Sequence, residues 1–276
     1  MIFTPVPKKI LKKMGYLKDQ EGIINRYLRE YTNWEDHLQK TNNFIIEAMQ
    51  KHRGDKVVVL GSGWLLDFPV KEALELCSSV ELVDIYHPKQ ILHKYKGYDR
   101  INFVEADITG GLIESVYSAV KNHQPVTDVF SDIHCKNNDP LFPGYSTREN
   151  LFPGFAFPAS SLVISLNILN QLDILIVDYI KKQIKLNKAT EVSIREYIQS
   201  THIDLLKNYN HCLITDYEEK IINSKDGSVT SVNTVYATLP EGSVNDQWEW
   251  MFDTKHFYHK NALTVFQVKA VYQSCV

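Results

Sequence analysis

Hydrophobic and polar residues follow one another along this chain in a pattern that predicts alternating strands and helices. Between residues 56 and about 122, the runs KVVVL, VELVDIY and INFVEA are rich in β-branched residues, whereas VKEALELC and LIESVYSAVKN have helical spacing. Strands that alternate with helices over short connections are typical of a parallel sheet with helices on both faces. The pattern therefore predicts an α/β domain.

Ahead of this region, residues 18 to 52 place apolar side chains at helical spacing. The positions expected to face inward are Ile23, Ile24, Tyr27, Leu28, Tyr31, Trp34, Leu38, Ile45 and Met49. The polar run Thr41-Asn42-Asn43 leaves open whether this is one long helix or two shorter ones. We predict an N-terminal helical cap over residues 1–52 and a Rossmann-like domain over residues 53–276.

Residues 123–160 form a predicted insertion that is rich in proline and aromatic residues. A loop of this length and composition is either an ordered insertion or a lid, because a floppy linker would carry fewer aromatic residues. Beyond it, SSLVISLNILNQL has the pattern of a buried strand. Helices are expected at about 168–185 and 193–209, the second with Ser193 and Glu196 as a capping box.

The last third of the chain is rich in β-branched and aromatic residues. The runs HCLITDYEEKIIN, VTSVNTVYAT, DQWEWMFD and LTVFQVKAVYQ are separated by turn signals such as Asp226-Gly227 and Glu241-Gly242. These runs predict strands that complete the sheet, some of them antiparallel.

Charge and composition narrow the range of partners. Thirty Lys and Arg against 33 Asp and Glu give a net charge of −3, without the basic excess that nucleic-acid binding normally requires. The cysteines show no C-x-x-C spacing, which favours reduced thiols in a cytoplasmic protein and no metal site. The most hydrophobic stretch, LDILIVDYI, is short and contains two aspartates, so no membrane span is predicted.

A glycine turn follows the first predicted strand. Gly61-Ser62-Gly63 lets the backbone turn sharply and approach a ligand, and Asp84 ends the next strand, where its carboxylate can accept hydrogen bonds from ribose hydroxyls. A dinucleotide fingerprint would have a third glycine at Leu66, and a methyltransferase motif would have it at Leu65. The turn alone therefore predicts a cofactor site without choosing the cofactor.

With FVEADITGG after the third strand, the chain resembles the class I S-adenosylmethionine-dependent methyltransferases as a divergent, bacterial-type member. VVVLGSG is similar to their glycine motif, VELVD to their ribose-binding acid, VEADIT to their adenine-side acid and LVISLNILNQL to their fourth strand. The resemblance covers about 56–122 and 160 to the end. It implies a seven-stranded, mostly parallel sheet that closes with an antiparallel C-terminal strand.

The same resemblance implies a set of cofactor contacts. The residues are Gly61, Ser62 and Gly63 for the methionine part, Asp84 and Ile85 for the ribose, Asp107 and Ile108 for the adenine, and Asn167 near the methyl group. The family usually has an acid at the position of Val59, and Asp67 is the candidate that replaces it at the cofactor's amino group. SLNI stands where N-P-P-Y would be, which favours a small-molecule acceptor, or a peptide entering the aromatic insertion.

Methyl transfer from a sulfonium is an in-line displacement that depends mainly on alignment and exclusion of water, so a dedicated base is optional. The catalytic candidates are His87, His134 and Asn167, and Asn170 and Gln171 join Asn167 in a predicted amide cluster. We predict direct methylation of a small molecule, with S-adenosylhomocysteine as product. Two alternatives stay open: a nicotinamide-dependent oxidoreductase, and a Rossmann-like binding protein without catalysis.

Overall fold

The computed structural model describes residues 5–52, 54–135, 137–138, 143–145 and 157–274. Its helices are α1 (Lys8–Met14), α2 (Tyr16–His52), α3 (Val70–Leu76), α4 (Lys89–Lys94), α5 (Leu112–Lys121), α6 (Val126–Cys135), α7 (Ile174–Gln183) and α8 (Lys188–Leu206). Its strands are β1 (Lys56–Leu60), β2 (Ser79–Asp84), β3 (Ile101–Glu105), β4 (Asn137–Asn138), β5 (Pro143–Tyr145), β6 (Ser161–Leu166), β7 (Asn210–Asn223), β8 (Val229–Asn233), β9 (Val244–Asp253) and β10 (Ala262–Gln273).

The main sheet has the order β3-β2-β1-β6-β7-β10-β9, and β8 pairs with β7 as an additional strand. The neighbours from β3 to β7 run parallel, while the long C-terminal strand β10 is antiparallel to both β7 and β9. The predicted fold class, an α/β fold with a mostly parallel sheet and an antiparallel C-terminal strand, is confirmed.

Alternate residues of β1 build the two hydrophobic cores, one on each face of the sheet. Val58 and Leu60 pack with α1, α5, α7 and α8 on one face. Val57 and Val59 pack with α2, α3 and the aromatic side chains of β9 on the other. Because every residue from Val57 to Leu60 is fully buried, β1 is the central strand that fixes the position of the turn following it.

Residues 18–52, for which the sequence left one or two helices open, lie in the single helix α2, which continues through Thr41-Asn42-Asn43. Thr41 is fully buried there, so the polar run does not break the helix. The prediction of an inward-facing side chain is wrong for Leu28 and Tyr31, because these residues are 65% and 62% exposed. The buried face of α2 carries polar residues such as Glu30 and His37 beside the predicted Trp34, Ile45 and Met49, and a hydrophobic pattern could not reveal these polar residues.

Two further helix predictions need correction. Helix α8 begins at Lys188 and is capped by the Asn187 side chain, which accepts a hydrogen bond from Thr190 N at 2.8 Å, so the predicted capping box at Ser193 is wrong. The insertion opens with helix α6, whose Val126 and Phe130 are buried. The other aromatic residues on which the lid prediction depends, apart from Phe157, have side chains outside the described residues.

Across the described ranges, no helix combines the length and the apolar character that crossing a membrane would require.

Candidate functional site

The turn after β1 is tightly packed against the end of β6. Gly61 has a φ of +83°, and a Cβ there would lie 2.7 Å from Ile168 Cβ and 2.9 Å from the Leu166 carbonyl oxygen. Gly63 also has a positive φ of +37°. Only glycine fits Gly61, because backbone conformation and close packing both exclude a side chain. Leu65, where the methyltransferase motif would have glycine, keeps the left-handed conformation with a φ of +53°.

Asp84 at the end of β2 faces this turn. Gly63 N donates a 2.8 Å hydrogen bond to Asp84 Oδ2, whereas Oδ1 receives only two long bonds of 3.3 Å, from Gln20 Nε2 and Tyr86 N. A carboxylate can accept about four hydrogen bonds, so Oδ1 keeps capacity for further donors. The turn and the acid predicted from the sequence are therefore in direct contact.

Burial is the main influence on the charge of Asp84. It raises the pKa of this carboxyl to about 6, against the lowering effect of the backbone N–H groups of Gly63, Tyr86 and Ile85. Additional hydroxyl donors would favour the charged form and lower the pKa again. A ligand that brings hydrogen-bond donors would therefore stabilise the charged form of Asp84.

A cavity of about 210 Å³ opens over the carboxyl ends of the central strands. It extends from the turn and Asp84, past Asn167 beyond β6, to Asp216 on β7 and Trp250 on β9. Helix α2 forms its outer wall. The Trp64 indole donates a hydrogen bond to the Gln20 carbonyl oxygen at 2.8 Å, which ties this helix to the glycine turn.

A smaller cavity of about 60 Å³ adjoins the first at Asp84. Its walls are mainly apolar, with Ile85 and Ile108 after β2 and β3 facing the same space as Ile168 and Leu172. Ile85 and Ile108, both expected from the resemblance to contact the cofactor, therefore line this cavity. A flat apolar ring such as a purine suits walls of this kind.

Asp107 has a different environment from Asp84. Its Oδ1 accepts hydrogen bonds from Thr109 N at 2.8 Å and Thr109 Oγ1 at 2.5 Å, and its Oδ2 accepts a longer one from Ile113 N in α5. These bonds hold the carboxylate at the start of α5. Asp107 is absent from the described residues that line either cavity, so it supports the wall that Ile108 forms.

Of the two predicted histidines, the structure describes the side chain of His87 alone. His87 is buried against Phe103 and shares a 3.0 Å hydrogen bond with the Ser62 hydroxyl. Burial lowers the pKa of His87 to about 4, and His87 is not one of the described cavity-lining residues. His134 is in α6, and its side chain lies outside the described residues.

The predicted amide cluster lines the larger cavity with all three of its members. Asn167 has a φ of +48°, and its Nδ2 donates a 2.6 Å hydrogen bond to Asp67 Oδ2. Gln171 donates to the Asn167 carbonyl oxygen, and Asn170 donates to Asp216 at 2.7 Å. Asn167 Oδ1 and Asn170 Oδ1 are buried without a hydrogen-bond partner among the described residues.

Sequence reasoning missed several cavity residues that α2 and the C-terminal strands contribute. They are Gln20, Arg26, His37, Asp216 and Trp250. Asp216 had a visible signal, because an acid stands inside the otherwise apolar start of the HCLITDYEEK run. The sequence gave no indication that polar residues of α2 line a cavity, since polar positions on a helix are normally solvent-exposed.

The residues present fit S-adenosylmethionine. Asp84 Oδ1 and the partnerless Gln20 Oε1 are acceptors for ribose hydroxyls, and the Ile85–Ile108 wall suits the adenine. Asp67 and Asn167 Oδ1 lie in the same cavity, where they offer acceptors to an amino group. Asp67, the sequence candidate for the acid that is absent at Val59, therefore lies in this cavity.

No protein-family model matches the sequence, and no curated protein is similar to it. Among solved structures, the chain is similar to the crystal structure of the 23S rRNA methyltransferase ErmE, with 9% sequence identity and a TM-score of 0.28. The match covers 83% of this chain and 67% of that chain. A likeness at this level assigns no function, so we infer the function from the site residues.

Proposed function

We propose that this protein is an S-adenosylmethionine-dependent methyltransferase that methylates a small molecule by direct transfer. The observation that carries the proposal is the Asp84 carboxylate, buried beside two connected cavities and bonded to Gly63 of the glycine turn. S-adenosylmethionine, when bound, supplies a methyl group on a positively charged sulfur. Asp84 and Gln20 would hold its ribose, and Asp67 with Asn167 would hold its amino group.

The chain's own contribution is alignment and exclusion of water. Helix α2 lies across the strand ends and lines the cavity with Gln20, Ile23 and Arg26, and the Trp64 bond to Gln20 holds it there. A dry, preformed site is what an in-line displacement needs most. No histidine is required as a base in this arrangement.

The charge of the cavity supports a small-molecule acceptor over a nucleic acid. Four aspartates line it, at positions 19, 67, 84 and 216, whereas Arg26 is the one Lys or Arg among the described lining residues. A phosphate backbone would be repelled by this excess of negative charge. The antiparallel closure by β9 and β10 also disfavours the nicotinamide alternative, since a dinucleotide-binding sheet normally continues with parallel units.

A thermal-shift experiment with S-adenosylhomocysteine and, in parallel, NADH tests the proposal, because a ligand that binds only the folded protein raises its melting temperature. We expect a shift with S-adenosylhomocysteine and none with NADH at the same concentration. Asp84→Asn should abolish the shift. Asp36→Asn is the matched control, since Asp36 lies exposed on α2 and pairs with Lys40.

Three outcomes are decisive. A shift with S-adenosylhomocysteine that disappears in Asp84→Asn and persists in Asp36→Asn supports the proposal. A shift with NADH alone would favour the oxidoreductase. The absence of a shift with both ligands would favour a binding protein that has lost its cofactor.

A further inference from the structure

The end of the larger cavity away from the glycine turn contains a second buried acid. Asp216 lies on β7 and is 2% exposed. It is separated from Asp84 on β2 by three strand steps, which at the usual strand spacing is about 14 Å across the sheet. The two acids therefore face different parts of one cavity, and a ribose held by Asp84 would leave Asp216 free for another group.

Asp216 has no cationic partner in the described part of the chain. No ion pair includes it; Asn170 Nδ2 donates a 2.7 Å hydrogen bond to Oδ2, and the backbone N–H of Asp216 and the Thr234 hydroxyl are further hydrogen-bond donors to this carboxyl. Arg26 is the one Lys or Arg among the described residues that line the cavity. Its guanidinium stacks on Phe252 at 4.7 Å and on Tyr258 at 5.2 Å and forms no ion pair with Asp216. A buried carboxylate without a counter-charge is unfavourable, and a ligand that brings positive charge or donors relieves it.

Asn170 supplies the second, independent observation. Its side-chain nitrogen is committed to Asp216, so its Oδ1 is fixed in direction. That oxygen is buried and has no hydrogen-bond partner among the described residues. Asn170 as a whole is only 6% exposed. Asn170 Oδ1 is therefore an acceptor without a donor among the described residues, and it belongs to the amide that donates to the Asp216 carboxylate.

The surrounding walls are aromatic. Trp250, Phe252, Tyr258 and Phe266 line the same cavity as Asp216, and the Arg26 guanidinium covers part of this wall at Phe252 and Tyr258. Aromatic faces attract cations and bury flat apolar bodies. The combination of acceptors and aromatic faces suits a nitrogen that carries N–H groups and is attached to an apolar ring.

We propose that this end of the cavity binds the methyl acceptor as an amine, with its amino group between Asp216 and Asn170 Oδ1 and its apolar body against the aromatic wall. The inference rests on the proposed function, because the acceptor nitrogen must face the group that donates the methyl. An ammonium proton passes to the Asp216 carboxylate, the freed nitrogen lone pair forms the new N–C bond, and the C–S bond breaks with its electron pair on sulfur. The carboxyl later loses its proton to water.

Isothermal titration of the protein saturated with S-adenosylhomocysteine tests the inference by binding alone. The probes are benzylamine, 2-phenylethylamine and tryptamine, each compared with the alcohol of the same skeleton. We expect at least one amine to bind about tenfold or more tightly than its alcohol, a difference of at least one decade in Kd. Asp216→Asn should lose that preference, and Asn170→Ala should weaken amine binding several-fold, about half a decade or more in Kd.

The readouts separate this inference from the proposed function. Asp216→Asn and Asn170→Ala must still bind S-adenosylhomocysteine with about the wild-type affinity, which also shows that they fold, and Asp36→Asn must behave as wild type with every probe. Equal binding of alcohols and amines, an amine preference that survives Asp216→Asn, or no binding of any amine would overturn the inference while the cofactor result stands. Failure of the wild-type protein to bind S-adenosylhomocysteine would instead overturn the proposed function.

Discussion

The indole Nε1 of Trp248 donates a 3.0 Å hydrogen bond to Nδ1 of His37 in the interior between β9 and α2. An indole nitrogen is a donor only, so Nδ1 of His37 must carry a lone pair, and the neutral ring holds its proton on Nε2. His37 also stacks on Trp250 with ring centroids 4.0 Å apart. His37 lines the larger cavity, and its Nε2 lies 3.5 Å from Asn167 Nδ2. With the proton on Nε2 both of these atoms are donors, so the contact between them is not a hydrogen bond and the Nε2–H group remains available to a ligand in the cavity.

Nitrogen-15 NMR of the histidine rings at neutral pH checks this assignment. We expect His37 to show the Nε2–H tautomer, and burial, which lowers its pKa to about 3, keeps the ring neutral. His211 is the internal control, because its Nδ1 lies 3.0 Å from the Tyr209 carbonyl oxygen and must donate to it. In Trp248→Phe, the pKa of His37 should rise. An Nδ1–H tautomer of His37 in the wild-type protein would refute the account.

Asp216 gives the protein a pH dependence of stability. Burial raises the pKa of this carboxyl to about 7, above its ordinary value of about 3.9 in an unfolded chain. Between about pH 3.9 and pH 7, the folded state thus binds more protons than the unfolded state. The free energy of unfolding that Asp216 contributes at low pH is therefore lost as the pH rises through about 7. Asp216→Asn removes this loss, so it should stabilise the protein relative to wild type at pH 8, by up to about 4 kcal/mol.

Urea denaturation at pH 5 and pH 8 measures the free energy of unfolding of both proteins. The advantage of Asp216→Asn should be larger at pH 8 than at pH 5. The exposed Asp36→Asn variant should differ from wild type by the same small amount at both values. A stability difference for Asp216→Asn that does not change with pH would show that the carboxyl is not buried as described.

Two positions of the glycine turn should respond to substitution to different extents. Gly61→Ala places a Cβ against Ile168 and Leu166 at a φ of +83°, and we expect a loss of about 2–4 kcal/mol in the free energy of unfolding. Leu65→Gly relieves a left-handed leucine but also removes a partly buried side chain that packs against the core, so we expect a loss smaller than that of Gly61→Ala. Thermal or urea denaturation compares the two. Similar losses in both would contradict the described turn.

The hydrophobic pattern predicted the parallel part of the sheet well, because strands buried on both faces, such as β1, are continuous apolar runs. The spacing of Gly63 and Asp84 also placed the turn and the acid on one edge, where they are in contact. Leu65 shows the limit of motif matching. Leu65 has a φ of +53°, a conformation that favours glycine, although the residue is a leucine, so the absence of a glycine in the sequence did not reveal the backbone conformation.

The inner face of α2 and the far end of the cavity could not be predicted from the pattern. His37 faces inward because Trp248, more than 200 positions later, supplies its partner, and a local pattern holds no information on such a pairing. Asn187 caps α8 six residues before Ser193, where the sequence suggests a capping box. Asp107 stood at the expected place in sequence, but its carboxylate is engaged by the start of α5.

Isothermal titration with S-adenosylhomocysteine is the most direct test of the central claim that Asp84 holds a ribosyl cofactor. We expect wild type to bind, with an affinity that weakens as the pH falls below about 6, because protonation of Asp84 removes the acceptor for the ribose hydroxyls. Asp84→Asn should bind at least about tenfold more weakly, a loss of about 1.4 kcal/mol or more. Binding by Asp84→Asn that equals that of the wild type, or no binding by the wild type, would contradict the account.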